Sequence, residues 1–135
     1  MFTFDKSIET GNVTIDTEHK QLIGAINSLL GACIQGRSRE EAQKAMQFLV
    51  SYTTQHFSHE ESLQKQYGYP GFAEHHQMHE GYKKVVHDLS VEFNRVGPTP
   101  AMINKINTSI GDWLIRHIRR EDAKVAAHIR EKTGK

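Results

Sequence analysis

The sequence predicts an all-α fold: an up-down-up-down antiparallel four-helix bundle with an N-terminal arm and a short C-terminal helix. Three observations carry this. Apolar residues recur at alternating steps of three and four over four long stretches. Gly and Pro gather at a few places between those stretches. Long helical stretches joined by short connections favour antiparallel neighbours. With 135 residues and 37% hydrophobic content, the expectation is one domain over residues 1–135, with an arm at 1–15 and the bundle and terminal helix at 16–132.

The arm contains Phe2, Phe4, Ile8, Val13 and Ile15 around Gly11-Asn12 and reads as irregular chain laid over an apolar surface. The first helix is expected to start after Asp16 as N-cap and to run to about Gln35, with Gly36 just beyond its end. Its inward stripe begins at His19 and continues through Leu22, Ile23, Ile26, Leu29, Leu30 and Cys33. Ser38 followed by Glu41 is a capping box that opens the second helix, which Gly68-Tyr69-Pro70-Gly71 stops after Tyr67. Its stripe is Ala42, Ala45, Leu49, Thr53, His56, Glu60, Leu63 and Tyr67. The third helix, from about Gly71 to Val96, carries Phe72, His75, His79, Tyr82, Val86, Leu89 and Phe93. Thr99 caps the fourth and Pro100 takes its first position, and the step repeats through Ile103, Ile106, Ile110, Trp113 and His117.

Composition narrows the function classes. Seventeen basic residues against sixteen acidic ones give no basic stripe for nucleic acid or an anionic membrane, so neither is expected as a partner. No apolar run approaches the length of a membrane span and no signal peptide opens the sequence, so the expected location is the cytoplasm, as a monomer. The lone Cys33 excludes zinc sites built on cysteine pairs and reads as a small core residue. Any metal must be held by His and carboxylate.

Nine histidines are the unusual number, and five of them, His19, His56, His75, His79 and His117, fall on apolar stripes together with Glu60. One histidine on such a face is ordinarily a core residue bonded to a carbonyl. Five imidazoles and a carboxylate in one interior, each costing roughly 1–3 kcal/mol if unpartnered, need a common cause, and a metal supplies it. His56 and Glu60, like His75 and His79, are spaced four apart and point from one face. Nitrogen-rich ligation without thiolate suits iron and also admits zinc, copper, manganese or nickel. So many imidazoles exceed one ion and favour two bridged by carboxylates. Neither Glu-x-x-His nor His-Glu-x-x-His occurs, which removes the signatures of ferritin-like di-iron sites and of metallopeptidases. His59, His76, His87 and His128 fall off the stripes and read as surface or outer residues.

Four segments together resemble the hemerythrins, in particular the bacterial single-domain members. They are Val13-Thr14-Ile15-Asp16-Thr17-Glu18-His19-Lys20-Gln21-Leu22; His56-Phe57 with Glu60-Glu61; Tyr69-Pro70 with His75 and His79; and Trp113-Leu114 with His117-Ile118 and Asp122. The likeness runs from about residue 4 to the end of the fourth helix, and Phe4 stands where bacterial members usually carry tryptophan. The resemblance implies a non-haem di-iron centre in which His75, His79 and His117 bind one iron and His19 and His56 the other. Glu60 and Asp122 would bridge them with an oxo or hydroxo group. Counted against two octahedral ions, that ligand set leaves one place open, on the iron with two histidines, where O₂ could bind.

Periodicity and resemblance disagree at Asp122. Five residues after His117 is a rotation of about 500°, or about 140° away from the His117 direction, so an unbroken α-helix would turn Glu121 nearer. Taking Asp122 as the ligand requires the helix to end or distort over Ile118–Glu121, with a short separate helix containing Val125, Ala126 and Ile129 beyond. The function implied is reversible O₂ binding for carriage, storage or delivery, with Ile23, Phe57, Trp113, Leu114 and Ile118 as the dry wall of the pocket. The alternatives are an O₂ or redox sensor read by an unidentified protein partner, and a di-iron enzyme such as an iron oxidase, peroxidase or nitric oxide reductase. A chain spent almost wholly on the bundle favours the carrier.

Overall fold

The computed structural model describes residues 2–134; Met1, at the start of the arm, and Lys135, at the end of the expected domain range, lie outside the described residues. The chain forms α1 (Val13–Ile34), α2 (Arg39–Gln66), α3 (Phe72–Val96) and a fourth long rod, with no strand among the described residues. The rod comprises α4 (Pro100–Lys105), α5 (Trp113–His117) and α6 (Ala123–Thr133), linked by two widened π-helical segments at Ile106–Asp112 and Ile118–Asp122. The architecture is a helical bundle in which α1 packs on α2 and α2 on α3, while the first π segment meets both α1 and α3.

Local chemistry explains the ends. Ser38 Oγ accepts from the Glu41 N–H and Thr99 Oγ1 from the Met102 N–H, with Pro100 following, as the sequence requires. Gly36 lies just past α1 with φ +68°, a conformation natural to glycine after a helix end. The start of α1 differs from expectation. Asn12, not Asp16, is the N-cap, its Oδ1 accepting from the Ile15 N–H at 3.0 Å. Asp16 sits in the first turn and ties down the arm, accepting from the Thr10 N–H (2.9 Å), Thr10 Oγ1 (2.7 Å) and the Gly11 N–H (3.2 Å). A carboxylate there also meets the positive end of the helix dipole. The arm is therefore shorter than predicted: Ile15 is helical and buried, Val13 is helical and exposed, Ile8 is buried, and Phe2 and Phe4 lie half-buried on the core.

The fourth rod also departs from expectation. The distortion falls on the expected residues, but no separate helix follows. Ile106, Trp113, Ile118 and Ala123 all keep right-handed helical angles, so the rod runs unbroken into α6. The Ala123 N–H reaches back five residues to Ile118 O, the bond of a π turn. The other π segment, at Ile106–Asp112, carried no sequence signal.

Two apolar clusters frame the site. The larger runs from Leu22 through Leu49, Phe57, Tyr82, Phe93 and Ile110 to Leu114 and Ile118. The smaller joins Ile15, Val125, Ala126 and Ile129 with Leu63, Tyr67 and Tyr69. Buried polar residues mark the junction of the two: His19 between Ile15 and Leu22, Glu60 between Phe57 and Leu63, His75 and His79 between Tyr69 and Tyr82, and Asp122 between Ile118 and Val125, with His56 and His117 directly beside Phe57 and Ile118 at the edge of the larger cluster. The polar groups form one layer inside an otherwise dry bundle.

Candidate metal centre

All seven predicted ligands are buried, none more than 5% exposed, and the fold brings them together in two adjoining sets. One set is Glu60, His75, His79, His117 and Asp122; the other is His19, His56, Glu60 and Asp122, with one donor atom from each member lying within 4.8 Å of the rest. Glu60 and Asp122 belong to both. The widened turn at Ile118–Asp122 is what lets Asp122 share the His117 face: a π turn holds more residues than an α turn, so a five-residue step comes round where an α-helix would overshoot.

Donor chemistry tests whether the layer fits a cation. Asp122 Oδ1 is 3.0 Å from Nε2 of both His75 and His117, and Oδ2 is 2.9 Å from His19 Nε2. None of these has hydrogen-bond geometry, and both Asp122 oxygens lack a hydrogen-bond partner, as do both His19 ring nitrogens, His56 Nε2, His79 Nε2 and Glu60 Oε2. Buried polar atoms in such number are rarely left unsatisfied in a stable core. Apart from His19 Nδ1, which faces away, these atoms converge on shared points, the arrangement that a positive ion satisfies. The residues fit a metal pair held by imidazole and carboxylate, with no thiolate in reach.

A ring of outer partners orients the imidazoles. His56 Nδ1 donates to Glu18 Oε1 (2.8 Å) and His79 Nδ1 to Glu61 Oε2 (2.9 Å), leaving each Nε2 turned inward. Each carboxylate also takes a more exposed histidine: His59 Nδ1 meets Glu18 Oε2 at 3.0 Å and His76 Nδ1 meets Glu61 Oε1 at 2.6 Å. One carboxylate thus serves a residue of each set. Sequence reasoning missed Glu18, Glu61 and the fully buried Gln64, whose Nε2 lies 3.5 Å from Glu60 Oε1. The available signal was adjacency: Glu18 precedes His19 and Glu61 follows Glu60. His128 donates from Nε2 to Tyr67 O (2.7 Å), away from the layer.

Electrostatics follow from this crowding. Burial opposes charge on His56, but hydrogen bonds to Glu18 and the pull of Glu60 outweigh it and raise its pKa to about 9. His75 behaves likewise, held at about 9 by Asp122 and Glu60 against the cost of burial, and His19 is raised. Burial would lift the carboxyls of Glu60 and Asp122; Glu60 also lifts Asp122, but the imidazoles hold both below the ordinary carboxylate range.

Of the predicted pocket wall, Ile23, Phe57, Leu114 and Ile118 are buried in the larger cluster. Phe57 stacks on His79, with ring centroids 3.7 Å apart and planes at 1°. Trp113 is placed differently: half-buried, stacked on His117 and lining a surface cleft.

By fold and site this is a helical-bundle protein of the metal-binding class, with its donors on all four rods. Comparison with known proteins sharpens the class. The pattern of the hemerythrin HHE cation binding domain matches residues 10–129. A bacteriohemerythrin of Pseudomonas paraeruginosa is 32% identical over 116 residues, covering 86% of this chain and 73% of that protein. One from Methylococcus capsulatus is 32% identical over 108 residues, 79% of each chain, and one from Campylobacter jejuni is 24% identical over 132 residues, 97% of each. The chain belongs to the hemerythrin family, and membership implies a non-haem di-iron site. No helix among the described residues is long and apolar enough to cross a membrane.

Proposed function

We propose that this chain binds O₂ reversibly at a pair of non-haem irons in the polar layer, for carriage, storage or delivery of the gas and not for turnover. His75, His79 and His117 would hold one iron and His19 and His56 the other, with Glu60 and Asp122 shared and an oxo or hydroxo group completing the bridge. When bound, such a pair supplies electrons that O₂ takes up and returns. The observation that carries the reading is the inequality of the two donor sets: the same two carboxylates, but three imidazoles against two. The poorer set is where a small ligand has room. The up-down-up-down course of the helices over a single domain, residues 1–135, belongs to this reading and is supported by the short connections and by the packing of α1 on α2 and α2 on α3.

The surroundings favour holding O₂ over cleaving it. Cleavage wants a proton donor, and two buried hydroxyls of the core are committed elsewhere: Tyr82 Oη donates to Ile110 O at 2.9 Å and Thr53 Oγ1 to Leu49 O at 2.7 Å. Burial raises the Tyr82 pKa further, which keeps its proton in place. Ile23, Phe57, Leu114 and Ile118 give the layer an apolar, buried surround, and Trp113 stacks on His117 at the edge of a surface cleft. The test is an absorption spectrum of the reduced, iron-loaded protein before and after exposure to air. A visible band that appears with O₂ and vanishes when O₂ is removed supports the reading. Sustained O₂ consumption with no reversible band would instead make the protein an oxidase.

A further inference from the structure

Trp113 covers one face of the His117 imidazole, with ring centroids 4.6 Å apart and planes at 11°. Its ring also stacks on Tyr82, at 4.2 Å and 16°. Tyr82 is sealed in the core, whereas Trp113 reaches a surface cleft of about 310 Å³ that it lines with Met78, Arg116, His117, Arg120 and Glu121. Arg116 and Arg120 are exposed, and the one acid lining the cleft, Glu121, faces Lys124 Nζ at 3.7 Å. A conjugated ring touching a candidate ligand therefore comes to the surface at a cationic spot. The cleft beside His56 offers no equivalent: it reaches that ring past Glu18 and His59 and no Lys or Arg lines it.

We propose that the Trp113 cleft is an electron inlet that docks an acidic one-electron donor protein, a role that rests on the di-iron reading above. A carrier that loses electrons by occasional oxidation needs such a route back. Arg116 and Arg120, with Lys124 beside them, steer and seat the donor's carboxylates. In each encounter one electron leaves the donor's reduced group, crosses the Trp113 and His117 rings and converts one iron(III) to iron(II). The donor is oxidised by that electron, no covalent bond forms or breaks, and two encounters reduce the pair.

The experiment uses the oxidised, iron-loaded full chain and a purified acidic [2Fe–2S] ferredoxin, reduced beforehand and mixed anaerobically by stopped flow. The double reversal Arg116→Glu with Arg120→Glu is expected to lower the second-order rate constant at least about tenfold at low ionic strength, the gap closing near 0.5 M salt. With cationic hexaammineruthenium(II) as donor the order of the two proteins reverses. Trp113→Leu slows reduction by ferredoxin about tenfold and Trp113→Phe restores most of the rate. A metal-free measurement stands beside these: Trp113 is the sole tryptophan, and its fluorescence should be quenched more by iodide than by caesium, with the preference inverted by the arginine reversals. Failure to take up iron overturns the di-iron reading and the inlet with it. Two irons bound, with rates and quenching indifferent to the arginine reversals, overturns the inlet alone.

Discussion

Stripping the metal should leave a fold whose stability falls on the alkaline side, where the loaded protein is unaffected. In the metal-free chain His56 and His75 have pKa values of about 9 against an ordinary 6.5, because Glu18, Glu60 and Asp122 outweigh the cost of burying their charge. At 1.36 kcal/mol per pH unit that difference is worth about 3 kcal/mol for one ring. The two together contribute less than twice that, since both draw on Glu60. A raised folded-state pKa means that the folded chain holds the proton more tightly. The stabilisation is complete below pH 6.5 and is lost as the pH climbs through about 9. Glu60 and Asp122 work in the opposite sense: their lowered pKa values give stability that is present above about pH 4.5 and fades as the pH falls. Metal-free protein should therefore be most stable near pH 5–6.5 and lose on the order of 3 kcal/mol by pH 9.5, a large share of a typical 5–15 kcal/mol. With metal bound the imidazoles are neutral ligands, and the alkaline decline disappears. Urea unfolding followed by circular dichroism, with and without chelator, reads this as a fall of about 1–3 M in the midpoint. Equal midpoints for metal-free protein at pH 6.5 and 9.5 would refute the charge assignment.

Other outcomes follow from the same geometry. Glu60→Gln or Asp122→Asn should weaken binding of both irons, whereas His79→Ala should weaken one and His56→Ala the other; metal analysis that finds one iron retained in Glu60→Gln protein contradicts a shared carboxylate. Glu18→Gln should cost about 10–100-fold in affinity at the His19–His56 set alone, checked by competitive chelator titration. Loading iron should strongly quench Trp113, which stacks on His117, and fluorescence that ignores the metal would separate that ring from the centre. Gly111→Ala should expel the Phe2 ring, which occupies the space a Cβ would need, and release the arm to protease while leaving metal content unchanged.

Much of this was legible because the signals are local. Ser38, Thr99 with Pro100, and Gly36 act through neighbours three residues away or fewer, and the structure places them as their chemistry requires. That these seven side chains turn inward was legible through helical period, and through resemblance for Asp122, which period alone would have replaced by Glu121. The misses depend on tertiary context. Asn12 and Asp16 are both good caps, and what decides between them is that Thr10 and Gly11 donate to Asp16. Glu18 and Glu61 stand one residue off the stripes, where a charge usually faces water, and only the folded bundle brings His56 and His79 to them. The widening at Ile106–Asp112 has no marker residue, although it brings the Ile110 carbonyl to the buried Tyr82 hydroxyl.

The widened turn at Ile118–Asp122 gives the last rod a reserve of length. A chain with one residue removed from Ile118–Glu121 could close that turn into ordinary α-helix, setting the aspartate four positions after His117 and leaving Val125, Ala126 and Ile129 in phase with Ile15. The same deletion in α2, between His56 and Glu60, has no slack to absorb it and would swing everything beyond it by about 100°. Changes in chain length should therefore be tolerated unevenly across the molecule, gently near the carboxylate that looked hardest to place and harshly where the spacing is regular.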